Sequence, residues 1–205
     1  LFIGQEFVYM VGMVLRYFSL WVSFFNNSLT RDLEFKANFL GGLIVDIIFY
    51  GIQFFFFSII YSYVDALGVF TREDVMIFLV ITFLADTFYM FFFSGNLFNL
   101  NRWMVRGDLD YFLLRPVESQ FMVSFRYVKS YALVSIVILL IMLTSLIIDY
   151  SKPIGFFNVL AFVFSFLMGT VLWYSVDFII SSSCFWFKNF SVSGWLSHEI
   201  LKFST

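Results

Sequence analysis

Charge is what this sequence has least of. Asp, Glu, Lys and Arg make up 13% of its 205 residues, against roughly 25% in soluble domains, too few to cover the surface of a compact water-soluble fold. The 12 basic and 14 acidic side chains nearly cancel, to a net charge of −2, which excludes a strongly basic nucleic-acid binder. A single Cys and a single His exclude an intramolecular disulfide and a Cys/His zinc site. The 11 glycines form no G-x-x-x-x-G-K-[ST] phosphate loop, so this chain has no means of cradling ATP in that way. What is present is apolar: 61% hydrophobic and 24% aromatic residues, 33 of them Phe, and a mean hydropathy of +0.92. An integral membrane protein is the remaining class.

Only helices and closed barrels satisfy every backbone group in lipid, and here the apolar residues run on continuously instead of alternating. Phe39 to Ile60, Val75 to Phe93, Val134 to Ile148 and Ile154 to Ile180 approach or exceed the ~20 residues that cross the hydrocarbon core. The expectation is an all-α integral membrane fold with four spans, the third reaching full length only if Phe125 to Ala132 extends it. The reading divides the chain into an interfacial helix at 1–36, spans at 37–63, 74–98, 128–149 and 154–183, a connector at 99–127, and a turn at 184–205 that enters a truncated fifth span. The opening on Leu1 and the stop at Thr205, just after a new apolar stretch around Trp195 and Leu196, suggest a piece of a longer protein.

Phe7 to Phe25 is apolar but carries Arg16 near its centre, and an Arg at mid-membrane is expensive. The segment therefore reads as a helix at the cytoplasmic interface, with Arg16, Arg31, Glu34 and Lys36 near headgroups and Trp21, Phe24 and Phe25 dipping into lipid. With the amino end inside, ten of the twelve basic residues are cytoplasmic, leaving Arg72 and Lys152 outside, as the positive-inside rule asks. That topology also places the triplets at Asn26 and Asn189 inside, where they would not be glycosylated.

The connector, SGNLFNLNRWMVRGDLDYFLLRPVESQFMVSFRYVK, holds the chemistry outside the membrane. Gly107 suits a left-handed helix end, Asp108 a following N-cap and Pro116 the first turn of another helix. Between them Leu109, Phe112 and Leu113 share one face, with Asp108, Asp110 and Arg115 around the polar side. Two readings stay open for this short amphipathic rod: a loop that returns the chain, or a docking element for a cytoplasmic partner.

Arg106-Gly107-Asp108-Leu109-Asp110, followed by Leu113-Leu114-Arg115-Pro116, resembles the G-x-L-D-x-x-L-L-R-P pattern of one family of ABC-2 type transporter permeases. Phe35-Lys36-Ala37-Asn38-Phe39 is similar to that family's entry to the first span, although Lys36 stands where Arg is usual. Thr71-Arg72-Glu73 resembles the polar start of the second, and Phe185-Trp186-Phe187 a later landmark. The resemblance implies a type V (ABC-2) exporter-like membrane subunit with six spans when complete. It implies partnership with separate ABC ATPase subunits, which carry the ATP and Mg, and with a second permease, identical or a related paralogue. The setting implied is multi-pass in a bacterial cytoplasmic membrane, surrounded by lipid and with no catalytic, metal or cofactor site on this chain. The amino-terminal helix then corresponds to a connecting helix, and Arg106 to Pro116, Phe112 included, to the coupling helix that seats in the ATPase.

Three carboxylates lie within spans, where ionisable groups are functional candidates by default: Asp46, Asp86 and Asp177. Gly42, Asp46, Tyr50 and Gln53 form one stripe on the first span, and Thr82, Asp86 and Tyr89 another on the second. These stripes either line a substrate path or hydrogen-bond between helices. Asp177, nearer the inner boundary, is expected to be solvated. Ala161, Ser165 and Gly169 permit close helix contact, the aromatic runs Phe54 to Phe57 and Phe91 to Phe93 suit packing, and Cys184 and His198 lack obvious partners. An ABC permease leads; a secondary carrier using Asp46 and Asp86, and a scaffold without transport activity, are the alternatives.

Overall fold

The computed structural model describes residues 2–64 and 66–186, with the side chains of 11–64, 66 and 68–186. In chain order the helices are α1 (Phe2–Glu34), α2 (Lys36–Tyr63), α3 (Arg72–Tyr89), α4 (Gly95–Leu97), α5 (Leu100–Arg106), α6 (Asp108–Leu113), α7 (Ser119–Phe125), α8 (Ser130–Ile148) and α9 (Phe156–Ser182). A π-helical turn, Met90–Ser94, joins α3 to α4. A two-stranded hairpin, β1 (Ala66–Leu67) with β2 (Phe70–Thr71), joins α2 to α3. Among the described residues four helical segments are long and apolar enough to cross a membrane: Lys36–Tyr63, Arg72–Arg106, Ser130–Ile148 and Phe156–Phe185.

Local chemistry accounts for the boundaries. Gly68 takes φ 66° in the hairpin, a conformation that costs glycine little. Thr71 caps α3 reciprocally: its hydroxyl accepts from the Asp74 amide, while the Asp74 carboxylate accepts from the Thr71 amide at 3.0 Å, a capping box with Asp in the usual Glu position. Gly107, at φ 78°, ends α5 in the left-handed conformation. The β-branched run Val134, Ile136, Val137 and Ile138 is helical in α8, because lipid offers the backbone no partner outside its own segment. Three boundaries differ from those expected of the sequence. Asp108 is the first residue of α6 and makes no side-chain cap. Pro116 opens no helix; α7 starts at Ser119. Phe125 to Lys129 does not extend α8, which starts at Ser130.

Spans α2, α3 and α8 pack around Tyr50, Met76, Leu79, Val80, Phe83, Leu84, Leu139 and Leu143. The segment containing α3 is the most enclosed, with 44% of its apolar window buried, whereas none of the corresponding window of α9 is. A second core lies in the connector, where Leu97, Leu100, Trp103, Leu109, Phe112, Met122 and Val123 enclose Cys184. Helix α1 rests on this connector end through one stripe. Tyr17 meets Phe121 edge-on at 4.8 Å, Trp21 stacks on Phe92 at 5.6 Å, and Phe24 and Phe25 pack against the two neighbouring clusters. Trp21, Phe24 and Phe25 are thus half-buried against protein; among the described side chains, the exposed large apolar ones of α1 are Val11, Met13, Val14, Leu15, Phe18 and Leu33.

Candidate functional site: span carboxylates and the connector

Each span carboxylate lies beside a hydroxyl group. On α2, Asp46 is buried and accepts from the Ser135 hydroxyl of α8 at 2.9 Å. One turn on, the Tyr50 hydroxyl lies 3.1 Å from Asp86 and 2.8 Å from Thr87, both on α3, and its ring stacks on Phe83 at 4.5 Å. Asp46, Tyr50, Gly51, Phe54, Phe83 and Ser135 help line a cavity of about 370 Å³ between α2, α3 and α8. At its connector side Gly42 admits the Tyr131 ring, which would lie 2.8 Å from an added Cβ.

The second stripe is not continuous. Thr82 is exposed and turns its hydroxyl to the carbonyl of Phe78 in its own helix. Tyr89 points away from Asp86, donates to Asp177 of α9, and stacks on Trp173 at 4.9 Å. Asp177 is accordingly buried at 7% exposure, which corrects the expectation of a solvated group. Its second oxygen and the Ser181 hydroxyl one turn further have no partner among the described residues. Gln53 is half-buried on α2 but is not among the residues lining the cavity.

In the connector the expected amphipathic face divides. Leu109 and Phe112 are buried against Trp103 and Met122, whereas Leu113 is 60% and Leu114 82% exposed. Leu113 therefore does not share the buried face of Leu109 and Phe112. Tyr111, Asp110, Arg115 and Pro116 are exposed alongside it, so one apolar side of α6 anchors it and another, with charges at both ends, faces outward.

The anchorage rests on residues that sequence reasoning passed over. Asn96, fully buried, donates to the carbonyls of Phe92 at 3.1 Å and Tyr127 at 2.8 Å and accepts from the Tyr127 amide at 2.7 Å. Ser28 accepts from the Val128 amide at 3.1 Å and Asp32 from the Ser130 amide at 3.2 Å, so α1 supplies acceptors to the backbone at the start of α8, where no intrahelical partner exists. Arg16 donates to the Pro116 carbonyl at 3.3 Å, and the Glu118 amide to the Tyr17 hydroxyl at 3.2 Å. An Asn or Ser inside an apolar stretch was the available signal, but its partner could not be read from spacing. At the opposite end, Lys152 pairs with Asp74 at 2.8 Å and Tyr150 donates to the same carboxylate at 2.6 Å; the bond to Asp74 raises the pKa of both groups.

An all-α fold with four span-length apolar helices defines a multi-pass membrane protein. The family described as ABC-2 family transporter protein matches residues 47–205, more than three quarters of the chain, and the chain belongs to it. The matched segment begins within α2, so the likeness at Phe35 to Phe39 lies outside it. No curated protein and no solved structure matches the chain.

Proposed function

We propose that this chain is the membrane-spanning permease subunit of an ATP-binding-cassette exporter in the bacterial cytoplasmic membrane, with its amino end and connector on the cytoplasmic side. The observation that carries the reading is membership of the ABC-2 transporter family joined to the outward presentation of Tyr111, Leu113, Leu114 and Arg115 on a connector whose other side is packed. Energy comes from ABC ATPase subunits that hold ATP and Mg; the permease pairs with a second copy or a related permease. ATP-driven closure of the ATPases displaces α6 as a rigid body. The connector core and the Asn96 bonds pass that displacement to α3 and α8, which move between inward-open and outward-open arrangements. The polar residues along the cavity, Asp46 and Tyr50 in particular, with Asp86 behind Tyr50, border the path.

Docking through α6 is tested by Leu113→Asp and Asp110→Arg in the permease co-expressed with its ATPase. Both changes lie on exposed positions, so the spans should fold normally while ATPase co-purification and permease-stimulated hydrolysis drop together. Retention of both activities by both variants would eliminate the docking role.

A further inference from the structure

A second cavity, of about 450 Å³, opens where the spans end at the connector; its lining includes Arg31, Asn99, Arg102, Arg106, Tyr127 and Lys129. Volumes in the range of roughly 300–1,000 Å³ are those of small-ligand sites. Four of its lining side chains are cationic, against one carboxylate, Asp108. Arg31 is engaged by Asp32 at 3.1 Å and lies over the Tyr127 ring at 5.3 Å. Arg102, Arg106 and Lys129 form no ion pair among the described residues.

This is more than a solvated basic surface. Lys129 is half-buried, and concentrating unpaired cations around a concavity raises the local potential. The floor is rigid, since Asn96 holds the Tyr127 backbone on both its amide and its carbonyl and Asn99 is tied to the Gly95 carbonyl at 2.6 Å. Arg31 near the end of α1, Gly95 and Asn99 just beyond the apolar part of the second span, and Lys129 immediately before α8 place the cavity at headgroup depth. That depth does not depend on which side of the membrane the connector occupies. Guanidinium groups match phosphate oxygens through paired N–H donors, and basic pockets between span ends suit anionic headgroups.

We infer that this cavity is a phosphate site, in which Arg102 and Arg106 grip the oxygens and Lys129 supplies charge from the floor. The phosphate belongs either to the headgroup of an anionic phospholipid entering from the bilayer or to a soluble phosphate entering from water. Its occupant bridges α1, the end of the second span and the residues that lead into α8.

The test uses the intact permease with its ATPase, purified in detergent and examined by native mass spectrometry after incubation with phosphatidylglycerol, phosphatidylcholine or inorganic phosphate. Phosphatidylglycerol retained in preference to phosphatidylcholine supports the site with lipid as the source; retention of inorganic phosphate alone supports it with a soluble source. In either case Arg102→Gln/Arg106→Gln, at exposed positions where folding is not at stake, should weaken retention by roughly tenfold or more. Lys129→Gln should weaken it too. No preference for an anionic species, or a preference that survives the double variant, overturns the inference. So does a double variant that sheds the ATPase while keeping its lipid, which would make these arginines a docking patch.

Discussion

The two ends of the helical bundle are fastened by different means. At the connector end the fasteners are buried or half-buried and mostly uncharged: Asn96 on the Tyr127 backbone, Ser28 on the Val128 amide, and the aromatic contacts of Tyr17 and Trp21. At the other end they are charged and only partly buried, with Asp74, Lys152 and Tyr150 joining the start of α3 to the loop after α8. The difference follows from where the chain leaves its helices. Between Arg126 and Lys129 the backbone is non-helical yet packed against protein, and unpaired amides there incur the full desolvation cost, so each needs a dedicated partner. The loop at 149–155 is exposed apart from half-buried Tyr150; water competes for the same groups, and an ion pair adds little. The end proposed to receive the ATPase's motion is thus the one whose backbone groups are held by buried partners.

Asn96→Ala breaks the buried end and should have the largest effect. It leaves the amide and carbonyl of Tyr127 without their partner, at a cost of about 2–4 kcal/mol, measurable as a lowered unfolding temperature of the detergent-solubilised protein. A wild-type transition would mean that the connector is not held through Asn96. Ser28→Ala, which strips one acceptor from the Val128 amide, should cost roughly 1–2 kcal/mol in the same assay and should also make α1 more susceptible to proteolysis.

Tyr89→Phe addresses the middle of the bundle. Removing the hydroxyl that donates to Asp177 should destabilise by about 1 kcal/mol, the scale of interhelical hydrogen bonds in membranes; an unchanged transition would return Asp177 to the solvated reading. A paired comparison of Gly42→Ala with Gly51→Ala sharpens the point further along α2. An added Cβ would press on the Tyr131 ring at position 42 and meet nothing within 4 Å at position 51, so the first should lower the unfolding temperature and the second should not. Smallest of all should be Lys152→Ala at the exposed end, with a barely altered transition. Because bonding to Asp74 raises the Lys152 pKa, the pair's contribution, with Asp74 ionised, is complete below the ordinary lysine pKa and fades as pH rises through the raised value. A large loss of stability near neutral pH on mutating Lys152 would undo the contrast between the ends.

Much of the connector could be read in advance, and much of its arrangement could not. Gly107 as a helix end follows from one residue's conformational freedom, but the division of α6 into buried Leu109 and Phe112 and exposed Leu113 and Leu114 depends on which side meets Trp103 and α7. Likewise, the spacing of Thr82, Asp86 and Tyr89 suggests one polar stripe. Instead Tyr50 and Thr87 cluster near Asp86, while Tyr89 turns to α9. Helical periodicity specifies neighbours on the same helix, and at i, i+3 and i+4 those neighbours fan across enough of the surface to face two different helices. Arg16 illustrates the same limit: its charge argued for an interfacial position, but its bond to the Pro116 carbonyl joins residues a hundred positions apart.

Sequence by itself determined the membrane class, the four apolar spans and the break at Gly107, because these follow from hydrocarbon thickness, backbone hydrogen bonding and local conformational preference, all properties of contiguous residues. Only tertiary structure decided that Asp46 meets Ser135, that Asp177 is buried under Tyr89, that Asn96 secures the connector and that four cations surround one cavity. Those outcomes depend on the rotation and neighbours of each helix, which side-chain packing sets and which no stretch of sequence encodes alone.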